Sequence, residues 1–118
     1  MDDVARRLRD LVFQFFQAKL CLQPRSVEIL EEGGSLAVKV RGFSPPAERT
    51  MIDHPKDVSD LENYYLRVFD QLPPLLNAGI GGTGLRVKVQ TLLDLRGEEC
   101  VFLLTLARQD GVIRAASS

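Results

Sequence analysis

Apolar and polar positions alternate along much of this chain, but the run Cys100-Val101-Phe102-Leu103-Leu104-Thr105-Leu106 is apolar at nearly every position. Side chains alternate across a strand, so Cys100, Phe102, Leu104 and Leu106 take one face and Val101, Leu103 and Thr105 the other. With neither face wet, this strand belongs in the middle of a sheet, under helices on one side and under a second cover, such as another subunit, on the other.

The same pattern orders the rest. Val4, Leu8, Leu11, Val12 and Phe15 recur at helical spacing and predict a helix capped by Asp2 or Asp3 and running to about Leu20. Phe13, Phe16 and Leu20 widen its apolar arc beyond what one sheet covers, which makes Phe13 and Phe16, with Val101 and Leu103, candidates for a dimer interface. After Pro24, Val27 and Ile29, then Leu36, Val38 and Val40, alternate on either side of Glu32-Gly33-Gly34 and predict an outer β-hairpin. Residues 42 to 57 are loop-rich, with a helical turn able to start at Pro46. Ser59-Asp60-Leu61-Glu62 has the spacing of a capping box and sets the start of a second main helix with the stripe Leu61, Tyr65, Val68, Phe69 and Leu72. Pro73-Pro74 kinks or breaks that helix, leaving Leu75 and Leu76 on a short last turn before Gly79. Leu85, Val87 and Val89 alternate with Arg86, Lys88 and Gln90 on a third strand that can extend through Leu93, and 94 to 98 turn the chain into the apolar run.

The order is therefore α-β-β-α-β-β. It predicts an α+β domain over 1–108, with a four-stranded, mainly antiparallel sheet and two main helices on one face, followed by a flexible tail, 109–118.

Composition narrows the class. A chain of 118 residues has room for one modest core, and 45% apolar with 26% charged residues excludes a wholly disordered or collagen-like chain. Fifteen basic against sixteen acidic residues leave a net charge of -1, so no global field draws it onto nucleic acid or an anionic membrane. Arg6, Arg7 and Arg9 form a local basic cluster without interleaved aromatic residues and read as a solvated helix face. No stretch approaches the roughly 20 apolar residues of a membrane span, and the N-terminus lacks a signal peptide, so a soluble cytoplasmic protein is expected. Cys21 and Cys100 have no metal-ligand spacing and sit in apolar runs, which predicts buried thiols in a reducing compartment, with a disulfide between them as the alternative.

Candidate chemistry is sparse. Gly79-Ile80-Gly81-Gly82-Thr83-Gly84 fits the letters of a dinucleotide-binding loop, but a helix precedes it and a strand follows, the reverse of the setting that places a pyrophosphate on a helix N-terminus. Its N–H groups, Gly79, Gly81, Gly82 and Gly84 with Arg86 or Lys88 nearby, leave an anion nest or small-ligand sensor as the alternative function. His54, between Asp53 and Pro55, lacks a recognisable nucleophile beside it and reads as an exposed loop residue. Asp94 and Gly97, with Glu98 and Glu99, read as turn chemistry, Asp94 accepting backbone bonds and Gly97 taking positive φ, rather than as a cation site. No cofactor, metal site or catalytic set is expected, and the first reading is a non-enzymatic protein that binds a partner.

Several strings together carry a family resemblance: Pro24-Arg25-Ser26-Val27, Val38-Lys39-Val40-Arg41-Gly42, Pro46-Ala47-Glu48-Arg49, Thr83-Gly84, and Asp94 with Gly97-Glu98 leading into Val101-Phe102 and Leu106. In this order they resemble the MpsC-like family, a bacterial family formerly catalogued as a domain of unknown function. The resemblance implies a small soluble partner of a sodium-linked, membrane-potential-generating system associated with inorganic-carbon uptake. A membrane-transport protein would be its partner, and the family offers no catalytic residues to transfer. The chain departs from the family pattern at Pro45, where a capping threonine is expected, and at Pro73-Pro74, where the helix is expected to be continuous.

Overall fold

Two hairpins, each preceded by helix, meet along the apolar run to make one sheet. The computed structural model describes residues 2–33 and 35–108. In chain order the elements are α1 (Asp2–Lys19), β1 (Ser26–Glu32), β2 (Ser35–Arg41), α2 (Pro46–Arg49), a 3-10 turn (Thr50–Asp53), α3 (Pro55–Phe69), α4 (Leu72–Gly79), β3 (Leu85–Asp94) and β4 (Glu99–Arg108). The strands lie in the order β1-β2-β4-β3, every neighbour antiparallel. The α+β order and the central place of the apolar run, now β4, follow the sequence pattern. The expected tail, 109–118, lies outside the described residues.

Register assigns the two faces. Val38 pairs with Phe102 and Phe102 with Thr91, while one residue along, Ala37 pairs with Leu103 and Leu103 with Gln90. The first row points into the core and the second points out. Cys100, Phe102 and Leu104 are fully buried, as are Val38 and Val40 beside them. Over this inner face lie α1 and α3, joined by rings: Phe16 sits 5.8 Å from Phe69 and 6.2 Å from Phe102, and Phe69 meets Phe102 edge-on at 5.1 Å. Such edge-to-face contacts add to the burial of the rings themselves.

This packing removes Phe16 from the candidate interface, because it is fully buried within the single chain. The wide apolar arc of α1 has a different cause. α1 packs on the sheet and also on α4, where the Leu11 side chain lies against Gly79 so closely that a Cβ there would push it aside. Arg7 reinforces this crossing by donating from Nε to the Gly79 carbonyl.

Three other expectations need correction. α3 begins at Pro55, with His54 extended before it at φ -111° and no side-chain cap, so Ser59 lies inside the helix rather than at its start. A proline is already set to helical φ and lacks the N–H that the first turn leaves unbonded, and this signal outweighs the capping-box letters. Pro73 and Pro74 act in the same way: the break falls at Asp70 and Gln71, and the prolines open α4 instead of ending α3. Cys21 is exposed, not buried, and holds a left-handed φ of 55° where the chain leaves α1. Its neighbours Leu20 and Leu22 pack on the core, and the thiol between them faces away. Cys100 is buried, and both thiols are free. No described helix is long and apolar enough to cross a membrane.

Candidate functional site

Polar side chains converge where the exit of β2, the short α2 and the β3–β4 turn meet. Glu98 is the centre of this junction. Its carbonyl accepts the Gly42 N–H at 3.0 Å, its Oε1 accepts the Ser44 N–H at 3.1 Å, and its Oε2 lies 3.8 Å from the Arg25 guanidinium. The Arg25 side chain is 78% exposed, so this ion pair contributes little beside the backbone bonds. From α2, Arg49 donates to the carbonyls of Leu95 at 2.9 Å and Arg96 at 3.4 Å, and ties the same turn from its other side. Glu48 has no serine or threonine to box with, since Pro45 precedes the turn, and instead accepts the Tyr65 hydroxyl from α3. Burial first, and then the bond to Glu48, push the Tyr65 phenol above its ordinary range.

Pro46 to Arg49 and Asp94 to Glu98, far apart in sequence, are thus bonded to each other. Their chemistry here is structural. Asp94 Oδ1 accepts the Gly97 N–H at 3.0 Å, the expected turn bond, but the left-handed residue is Glu98, at φ 53°, and not Gly97. A Cβ at Gly97 would meet Asp94 Oδ2 at 2.5 Å and displace the carboxylate that holds the turn. The carboxylates and guanidinium groups of this junction hold backbone or one another.

The glycine loop bonds largely to itself. Gly81 N–H reaches the Ala78 carbonyl at 3.2 Å, Thr83 N–H the Ile80 carbonyl at 3.2 Å, and the Thr83 hydroxyl donates to Ile80 at 2.6 Å while accepting the Leu85 N–H at 3.2 Å. These N–H groups point at the loop's own oxygens, and Gly79 belongs to the α1–α4 crossing. Gly82 and Gly84 supply the positive φ of the turn, at 91° and 76°. Arg86 stands on the outer face of β3, exposed. His54 is exposed at the head of α3. Among the described residues no group of three or more His, Cys, Asp or Glu lies close enough to hold a metal ion. Burial, and then the charge of Glu99, raise the Cys100 thiol well above its usual range, which leaves it protonated and unreactive.

Of the interface candidates, Val101 and Leu103 do share the outer face of the sheet, with Leu103 36% exposed. Register adds two leucines that periodicity alone did not single out. Leu30 stands in one row with Ala37 and Leu103, and Leu92 beside Val101 in the next, at 56% and 51% exposure. Phe13 is half-buried on α1, away from this face, in a groove it lines with Pro24 and Val27.

Asn77 was not visible as a functional residue in sequence. From α4 its Oδ1 accepts the Val87 N–H at 2.9 Å and its Nδ2 donates to the Val87 carbonyl at 3.1 Å, as a neighbouring strand would. Nδ2 also donates to the Pro73 carbonyl at 2.9 Å, which fixes the amide in place. Nothing in an isolated helical asparagine announces that role.

Comparison with family models, with curated proteins and with solved structures gives no match.

Proposed function

We propose that this chain is a non-enzymatic accessory or regulatory protein that works by binding other protein chains, a second copy of itself among them. The observation that supports this reading is the outer face of the sheet, which no described helix covers and where Leu30, Ala37, Val101, Leu103 and Leu92 adjoin in register, while the helices pack on the other face. Contiguous apolar surface of this kind marks contact sites more often than isolated exposed leucines do. The resemblance to the MpsC-like family supplies the proposed setting: a cytoplasmic partner of a sodium-linked membrane-potential or inorganic-carbon uptake system. The polar groups of the junction around Glu98 hold backbone and keep the two hairpins in place behind the outer face.

Sedimentation equilibrium from low to high micromolar concentration tests the self-association. A reversible dimer is expected. A monomer throughout that range would overturn it.

A further inference from the structure

We infer that two copies join along the free edge of β3, strand to strand and antiparallel about Thr91, to make one continuous sheet. This rests on the self-association proposed above but places it at the sheet edge, which leaves the outer apolar face to a different protein chain.

Both outer strands of the sheet expose backbone, and backbone hydrogen-bonding groups left open at an edge are a template for another strand. In an antiparallel ladder the N–H and C=O of alternate residues point to opposite sides. Asn77 marks which residues of β3 point outward, because it bonds both groups of Val87. By alternation Leu85, Val89, Thr91 and Leu93 point outward too, the register being unbroken from Leu85 to Asp94. Leu85 N–H is taken by Thr83 and Val87 by Asn77, while no described residue bonds the outward groups of Val89, Thr91 or Leu93. The open stretch therefore has two defined ends: Asn77 closes it at Val87, and beyond Asp94 the chain turns away into β4.

A two-fold axis through Thr91 fits this window. It sets Thr91 against its own copy and Val89 against Leu93 of the other chain, each pair exchanging both backbone bonds. Between them Gln90 faces Leu92, which shields a leucine now 51% exposed. At both ends Lys88 faces Asp94, an opposite-charge pair of the kind that stabilises cross-strand neighbours. Shifting the register toward Leu85 would drive the incoming strand onto Asn77, and shifting it the other way would shorten the ladder.

The opposite edge lacks these properties. β1 carries Glu28, Glu31 and Glu32 in seven residues, so self-pairing there would crowd like charges, and Glu31 lies on the helix-covered face, a known way of blunting an edge. An interface made by one strand edge is small, which places the dimer in the weak class.

The test is sedimentation equilibrium on wild type, Thr91→Pro, Lys88→Glu and Leu103→Lys, with circular dichroism to confirm folding. Thr91→Pro removes one N–H that bonds no described residue, and proline is tolerated at such an edge position. It should weaken the dimer about tenfold or more, as should Lys88→Glu, which sets two acids against each other at both ends. Leu103→Lys tests the competing dimer through the outer face, and with the copies joined at the edge it should leave the dimer unchanged. A dimer lost with Leu103→Lys but kept with Thr91→Pro would overturn the edge while leaving self-association standing; a monomeric wild type would overturn both.

Register has its own check, immune to misfolding of the proline variant. In a Cys21→Ser background, Gln90→Cys with Leu92→Cys should oxidise to a covalent dimer, because non-hydrogen-bonded partners bring their Cα atoms to about 4.5 Å. Lys88→Cys with Gln90→Cys should not. Equal cross-linking by both would overturn the register about Thr91.

Discussion

Phe102 and Leu103 are neighbours on β4 with opposite fates. Both are large and apolar, both sit on the central strand, and both have cross-strand partners on β2 and β3. Phe102 is fully buried among rings from α1 and α3, whereas Leu103 is 36% exposed in a row with Leu30 and Ala37. The difference arises from elsewhere in the chain: α1, α3 and α4 all go to one side. Apolar alternation fixes which residues share a face, but a face is buried only if something is there to cover it.

The sharpest way to break this contrast is truncation. Phe102→Ala should cost roughly 3–5 kcal/mol, because it opens a cavity at the centre of the ring cluster. Leu103→Ala should cost less than about 1 kcal/mol in the monomer, as a surface change away from caps and buried polar groups. Urea unfolding at low protein concentration measures both, and comparable losses would mean the outer face is as covered as the inner one.

Alkaline pH should act through the inner side. Tyr65 and Cys100 are both raised when folded, so the native state holds protons that the unfolded chain gives up. Their stabilisation is complete below the unfolded values, about 8.5 for cysteine and 10 for tyrosine, and declines as pH rises past each, by ~1.4 kcal/mol per pH unit per group. Unfolding midpoints should therefore fall steeply above pH 10, and Tyr65→Phe should flatten that slope. A midpoint independent of pH from 8 to 11 would contradict the burial of both groups.

The smallest effect is chemical. A thiol reagent should modify Cys21 quickly in the native protein and Cys100 only on unfolding, which absorbance readings with and without urea will separate. Fast labelling of both would mean that the inner face opens readily.

Most of the fold was legible because strand and helix periods depend on local alternation, and β4, β1, β2 and β3 all appear where the pattern put them. The errors arose where two signals competed or where the answer was tertiary. Pro55 outweighed Ser59 as a helix start, and Phe16 served a core that includes α3 and Phe43, which no reading of α1 alone discloses. In the turn, the Asp94 bond was legible, but the left-handed position fell on Glu98, whose backbone and side chain are also bonded to the exit of β2. The candidate binding surface was half legible. Val101 and Leu103 came from alternation, while Leu30, Leu92 and the closed end of β3 at Asn77 required register.

The strand order also has a consequence in time. β1 with β2 and β3 with β4 are hairpins, but the β2–β4 seam joins residues as far apart as Ser35 and Thr105, so each half can form locally before the sheet has a middle. Hairpins close in about 1–10 μs, whereas long-range pairing must first overcome the entropy of closing the loop between partners. We expect the zipping of the two halves to set the folding rate. Val38→Ala, at the centre of the seam, should then slow folding in a stopped-flow experiment, and a change confined to the unfolding rate would place the seam after the barrier.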